Sequence, residues 1–329
     1  MSRIPIRFII LSLVVMATSI DYVTRVNINI AIVTMVRQNT SHRDVHGQVC
    51  PLSYPVNETN ARIESDSQGF DWSPTTQGMI LGSFWWTYMT MQIPSGRMAE
   101  LFGGKKIVAI SLIGSGIINM FTPLASHSLF LLIMTRMALG LVQGGIFPSC
   151  YALVGKWFPL NERSLGFAFM EIGATIGSVL ATTIGGYLSE HGFAGGWPSV
   201  FYVSGLLALI AFFLWESNVE SNPSSYPGIS SHELTYISGG QGMSMEATSA
   251  STLEASGTST ETVMDSMTSR PSVPWKEIAT SPPVLAVICS KFCGGWTYFT
   301  LLSKLPAYLH DALHVPPTQV CVKMIAECN

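Results

Sequence analysis

Apolar stretches of roughly 18 to 25 residues recur along the chain, each about the length that crosses 30 Å of hydrocarbon as an α-helix. Their pattern predicts spans over Ile6 to Val36, Thr76 to Pro94, Ile107 to Ala125, Leu129 to Val154, Leu165 to Ser189 and Val200 to Trp215. A seventh, Pro283 to Leu309, follows a long polar gap. The predicted fold class is an all-α polytopic membrane protein. Glycines punctuate the third, fourth and fifth spans (Gly114 and Gly116; Gly140, Gly144 and Gly145; Gly173, Gly177, Gly185 and Gly186), where small residues let membrane helices approach closely.

The polar segments set the organisation: a six-helix bundle over 1–217, a linker over 218–281, a seventh helix over 282–310 and a tail over 311–329. The linker is rich in Ser, Thr, Gly and Glu with few aromatics, so it cannot bury enough apolar area to offset chain entropy, and a mostly disordered tether is expected. Arg3, Arg7, Arg97, Lys105, Lys106, Lys156 and Arg163 fall on one side of the spans, as do Arg270 and Lys276 in the linker, which makes that side cytosolic. The opposite side carries one long loop, 37–71, with glycosylation sequons at Asn39 and Asn57. Met1 to Ile20, with Arg3 and Arg7 ahead of an apolar core, begins as a signal peptide does. The pattern runs on through Asp21 and Arg25 to Val36 without a small-residue cleavage site, so a retained first helix is expected.

Composition agrees with this. Charged residues make up 11% of the 329 positions and hydrophobic residues 48%, against about 25% charge in soluble domains. The mean hydropathy is +0.37. A net charge of -3 gives no basic surface for nucleic acid and no polybasic lipid-binding arm. The six cysteines are scattered without a CxxC pair, so neither zinc nor redox chemistry is expected, and no catalytic residues, metal or cofactor are assigned.

Between spans two and three stands Gly96-Arg97-Met98-Ala99-Glu100-Leu101-Phe102-Gly103-Gly104-Lys105-Lys106. It resembles the cytosolic signature of the major facilitator superfamily. In physical terms Gly96 and Gly103 permit a tight turn, and Glu100 meets helix ends or basic groups such as Lys105 and Lys106, whose pairing changes as two halves rock.

A closer resemblance covers about Arg3 to Val315, to the family of sialin, the vesicular glutamate transporters and the sodium-phosphate or urate carriers. It rests on Arg25-Val26-Asn27, Gln77-Gly78-Met79-Ile80-Leu81-Gly82-Ser83-Phe84, Gln92-Ile93-Pro94, Phe147-Pro148, Lys156-Trp157, Glu162-Arg163-Ser164, Gly196-Trp197-Pro198-Ser199-Val200-Phe201-Tyr202, Val273-Pro274-Trp275 and Trp296-Thr297. Within the linker, apart from Val273 to Trp275, only Ile229 to Ile237 matches. The resemblance implies the N-terminal six-helix half of a secondary anion transporter plus the first helix of a second half.

Four ionisable residues lie within spans: Asp21 and Arg25 on the first, Arg136 on the fourth and Glu171 on the fifth. Charges at membrane depth are costly and usually face a cavity or a partner. The resemblance assigns Arg25 and Arg136 to anion binding, and two fork-shaped donors from different helices would clamp a carboxylate or phosphate. Asp21 lies four residues before Arg25 on one helix face, where it either neutralises the arginine or takes part in ion coupling. Glu171 is a second coupling or pairing candidate.

Gln143 departs from the glutamate that sialin-like and glutamate-carrying members place there, and an amide does not titrate in the physiological range. Leu81 and Gly294 replace a histidine and an arginine of the glutamate carriers. These departures favour inorganic phosphate or an organic anion as substrate over acidic amino acids or sialic acid. They also favour coupling to sodium or membrane potential over coupling to a proton.

The expected partners are therefore a small anion and the lipid bilayer, in a multi-pass protein of the plasma membrane or an endolysosomal or vesicular membrane. After Val315 the tail leaves the family's pattern, which suggests a truncated product. A non-transporting half-molecule that binds or regulates a full-length homologue is thus an alternative to a transporter, as is a proton-coupled carrier of sialic acid or acidic amino acids. A seven-helix receptor is disfavoured, because only a few basic residues precede the first span.

Overall fold

A computed structural model describes residues 5–36, 70–239, 277 and 280–313. Its elements are α1 (Ile6–Met35), α2 (Pro74–Phe102), α3 (Gly104–Ala125), α4 (Leu129–Gln143), α5 (Ile146–Trp157), α6 (Leu160–His191), α7 (Trp197–Asn218) and α8 (Pro282–Leu313). Among the described residues, five stretches are long and apolar enough to cross a membrane: α1, α3, α4 with α5, α6 and α7. Helix α2 is 29 residues long, but its Thr, Ser, Gln and Gly residues lower its hydropathy. Side chains such as Phe130, Phe213 and Ile93 stand exposed on the outer faces, as helices surrounded by lipid require.

Helix α1 is the centre of the bundle and is buried without interruption from Asp21 to Ile32. It packs most closely on α6, where small residues allow the backbones to touch. A Cβ on Gly177 would fall on the Ser19 carbonyl, and Ser19 Oγ donates to the Gly173 carbonyl at 2.8 Å. The largest apolar cluster joins α1, α3, α5, α6 and α7 at the expected cytosolic end, with Trp157, Phe158 and Trp215 fully buried. Both indoles bond to backbone there, Trp157 Nε1 to Glu220 O at 2.9 Å and Trp215 Nε1 to Lys105 O at 3.0 Å.

The span expected to be continuous from Leu129 to Val154 is broken between α4 and α5. Pro148 has no N–H to offer the carbonyl four residues back, that of Gly144. Ser95 Oγ of α2 takes this carbonyl instead at 3.1 Å, and Ser111 Oγ of α3 takes that of Val142 at 2.6 Å. Two neighbouring helices thus satisfy the carbonyls freed at the break.

The start of the expected linker is folded. Residues 223–225 form a 3₁₀ turn and 231–239 a short helix. Glu233 accepts from the Ile6 and Arg7 amides at 3.1 and 3.0 Å, capping α1, which has no side-chain cap of its own. Tyr236 donates to Glu162 at 2.9 Å, Arg7 pairs with Glu162 at 3.5 Å, and Ile237 is buried. A disordered tether was expected because composition counts only the segment's own apolar residues, whereas these partners lie on α1 and α6. Asn39, Asn57, Arg270 and Lys276 lie outside the described residues. The ends of the loop that holds the sequons are joined, with Phe70 N donating to Met35 O at 2.8 Å.

Candidate functional site

Midway along α1, Arg25 donates through Nη2 to Oδ2 of Asp21, one helical turn earlier. Both side chains are buried. The other Asp21 oxygen, Oδ1, and Arg25 Nε have no hydrogen-bond partner. The guanidinium is enclosed by rings, at 4.5 Å from the centroid of Tyr88, 4.6 Å from Tyr22, 5.3 Å from Phe84 and 5.8 Å from Trp85. Three of these come from α2, where positions 84, 85 and 88 share a face at helical spacing. Their π faces attract a cation without supplying a negative charge.

Gln143, at the end of α4, meets the same turn of α1. Its Nε2 donates to Thr24 Oγ1 at 2.7 Å, while its buried Oε1 has no partner. Thr24 in turn donates to the carbonyls of Ile20 and Asp21, each at 3.0 Å. The amide is therefore held against the backbone that carries the ion pair.

Arg136 is 1% exposed. Neither Nη1 nor Nη2 has a hydrogen-bond partner, and the group lies over the Phe201 ring at 5.6 Å. A guanidinium taken out of water without a counterion is expensive, which makes this a strong point of attraction for an anion. The rings nearest the two guanidinia belong to different helices, Phe201 of α7 beside Arg136 and Tyr22 of α1 with Phe84, Trp85 and Tyr88 of α2 around Arg25. Glu171 is outside this centre. It is exposed on α6 and accepts from the Tyr151 hydroxyl at 3.3 Å.

A second polar cluster went unnoticed in the sequence reading. Asn27 Nδ2 donates to Asn119 Oδ1 at 2.8 Å and to Ser204 Oγ at 2.9 Å, joining α1, α3 and α7. Asn119 donates to the Ser115 carbonyl at 2.9 Å, and Asn27 Oδ1 has no partner. The available signal was Asn27, two residues after Arg25, followed by a second asparagine, Asn29, among apolar residues.

The turn between α2 and α3 is built as its glycines suggest. Gly103 has φ +91°, a conformation L side chains rarely adopt, and a Cβ there would come to 2.7 Å from Ser221 Oγ. Gly96 faces Pro148, and Arg97 pairs with Glu100 at 2.6 Å within the motif. Lys105 reaches Glu220 at 3.1 Å and Glu216 at 3.6 Å at the end of α7, while Lys106 is exposed.

The profile of the Major Facilitator Superfamily matches residues 11–326. The chain is 33% identical over 297 residues to the uncharacterized transporter slc-17.2 of Caenorhabditis elegans, covering 89% of this chain and 56% of that protein. It is 31% identical to vesicular glutamate transporter 3 of Danio rerio over 320 residues (96% and 48%) and 31% identical to sialin of Homo sapiens over 299 residues (89% and 54%). It therefore spans about half the length of these relatives. The crystal structure of a bacterial homolog of the human lysosomal transporter Spinster, inward-facing and unoccupied, shares the fold. Its TM-score is 0.64 at 14% identity, over 98% of this chain and 59% of that one. With a profile match over nearly its whole length and a bundle of the same fold, the chain belongs to the Major Facilitator Superfamily.

Proposed function

We propose that this chain supplies the anion-binding half of a secondary transporter for small anions, inorganic phosphate or an organic carboxylate, working by alternating access. The observation that carries this reading is Arg136, a fully buried guanidinium whose two terminal nitrogens have no hydrogen-bond partner. A bundle that meets the cost of burying that charge gains it back when an anion arrives. Arg25 is the second countercharge, buried in the same bundle and held in an aromatic cage. The relatives named for glutamate transport support the broad class of anion, while Gln143, Leu81 and Gly294 favour phosphate or another organic anion within it.

Superfamily transporters bind substrate between two six-helix halves near the bilayer midplane. Uptake of radiolabelled phosphate and carboxylates is therefore measured in proteoliposomes holding the chain by itself and holding it with a full-length relative. Anion uptake that Arg136→Ala or Arg25→Ala abolishes is the expected result. Uptake only with the relative present, altered by adding this chain, would point to the regulatory half-molecule. No binding and no effect on uptake with any anion would overturn both readings.

A further inference from the structure

Asp21 is the only acidic residue that is buried among the described residues. One of its oxygens accepts from Arg25, and the other has no partner. The pair carries no net charge, so an anion that comes to Arg25 finds its countercharge already matched. With Asp21 ionised, two negative charges would compete for one guanidinium in a poorly screened interior. With Asp21 protonated, the incoming anion takes the guanidinium, and the neutral carboxyl has an O–H to donate.

We infer that Asp21 is a proton-binding site, and that one proton from solution enters its carboxylate as an anion displaces it from Arg25. The inference rests on the anion-site reading of Arg25. The other groups around Asp21 leave the proton no other place. Helix α1 contributes Arg25, which stays charged, and Tyr22. Helix α2 contributes Tyr88 and α5 contributes Cys150, and a neutral phenol or thiol already holds its proton. Helix α4 presents the Gln143 amide. Helix α6 presents Gly173 and Gly177 to α1, with Glu171 exposed and bonded to Tyr151. Arg136 is against Phe201. The amide at 143 thus removes a titratable group from α4, but the neighbouring turn of α1 carries one.

The test uses the purified chain in lipid nanodiscs, with the organic carboxylates L-lactate and D-gluconate as probes, because their carboxylates keep a constant charge between about pH 5.5 and 8. Binding is read by isothermal titration calorimetry. Proton uptake is read from an indicator dye in weak buffer. The expected result is about one proton taken up per anion bound, with affinity falling about tenfold per pH unit where free Asp21 is ionised. Asp21→Asn should bind the same anion without proton uptake and without pH dependence. Anion binding by the unaltered chain with no proton uptake overturns the inference, whether or not the variant folds. Undiminished uptake in Asp21→Asn overturns it as well. Absence of anion binding at every pH, identical in Arg25→Ala, overturns the anion-site reading instead.

Discussion

Gln143 of α4 donates to the hydroxyl of Thr24 on α1 at 2.7 Å, the residue immediately before Arg25. This bond fixes the end of α4, just ahead of the break at Gly144, against the turn that holds the Asp21–Arg25 pair. A carboxylate at 143 would stand in the same place. Gln143→Glu is therefore expected to weaken anion binding about tenfold at pH 7 to 8 through like-charge repulsion, with recovery near pH 5 as the new acid takes up a proton. Calorimetric titration at both pH values checks this, and equal affinity for the two proteins at pH 8 contradicts it.

Removing one partner of a buried pair leaves the other charge uncompensated. Arg25→Ala should destabilise the bundle by about 3 to 5 kcal/mol, and the double variant Asp21→Asn with Arg25→Gln by clearly less. Neither should bind anions. Arg25→Lys keeps the charge but loses the planar fork that lies among four rings, so binding is expected to fall although the fold survives. Detergent thermal melts together with binding titrations separate these cases.

The α1–α6 contact depends on the absence of side chains. At Gly177 a Cβ would overlap the Ser19 carbonyl, a backbone atom that cannot move aside without shifting α1. Gly177→Val is expected to cost about 1 to 3 kcal/mol or more, lowering the melting temperature. Gly78, with open space around it, should accept alanine with little change.

Glu233 caps the first amides of α1 from a segment more than two hundred residues away in sequence. Glu233→Ala should remove about 1 kcal/mol of local stability. Limited proteolysis should then cut faster between residues 219 and 239 than in the unaltered protein. An unchanged digestion pattern would show that Ile237 and Tyr236 hold the segment without the cap.

Orientation is tested chemically. From the distribution of Lys and Arg, Asn39 and Asn57 are expected outside the cytosol and Arg270 inside. Glycosidase treatment of the protein from a eukaryotic host should increase its gel mobility, and Asn39→Gln with Asn57→Gln should remove the effect. A tag at Arg270 that antibodies reach in unpermeabilised cells would reverse the topology.

The rough extent of most of the long helices was legible in the sequence because crossing hydrocarbon imposes a length and an apolarity that each segment must satisfy by itself. The Asp21–Arg25 pair was legible for a similar reason, since four residues along a helix is one turn whatever surrounds it. The break in the fourth span was written in Gly144, Gly145 and Pro148. Its tolerance was not, because that depends on Ser95 and Ser111 from two other helices. The fold of residues 231–239 likewise needed Arg7 and Glu162, which no local composition reveals.

What the tertiary structure alone decided is which side chains meet across helices. Arg25 received four aromatic rings, Gln143 received Thr24, Asn27 received Asn119 and Ser204, and Arg136 received Phe201. Residue spacing determines which face of a helix a side chain occupies. It leaves open the rotation, tilt and depth at which that face meets its neighbour, and these follow from the close packing of small residues along α1 and α6.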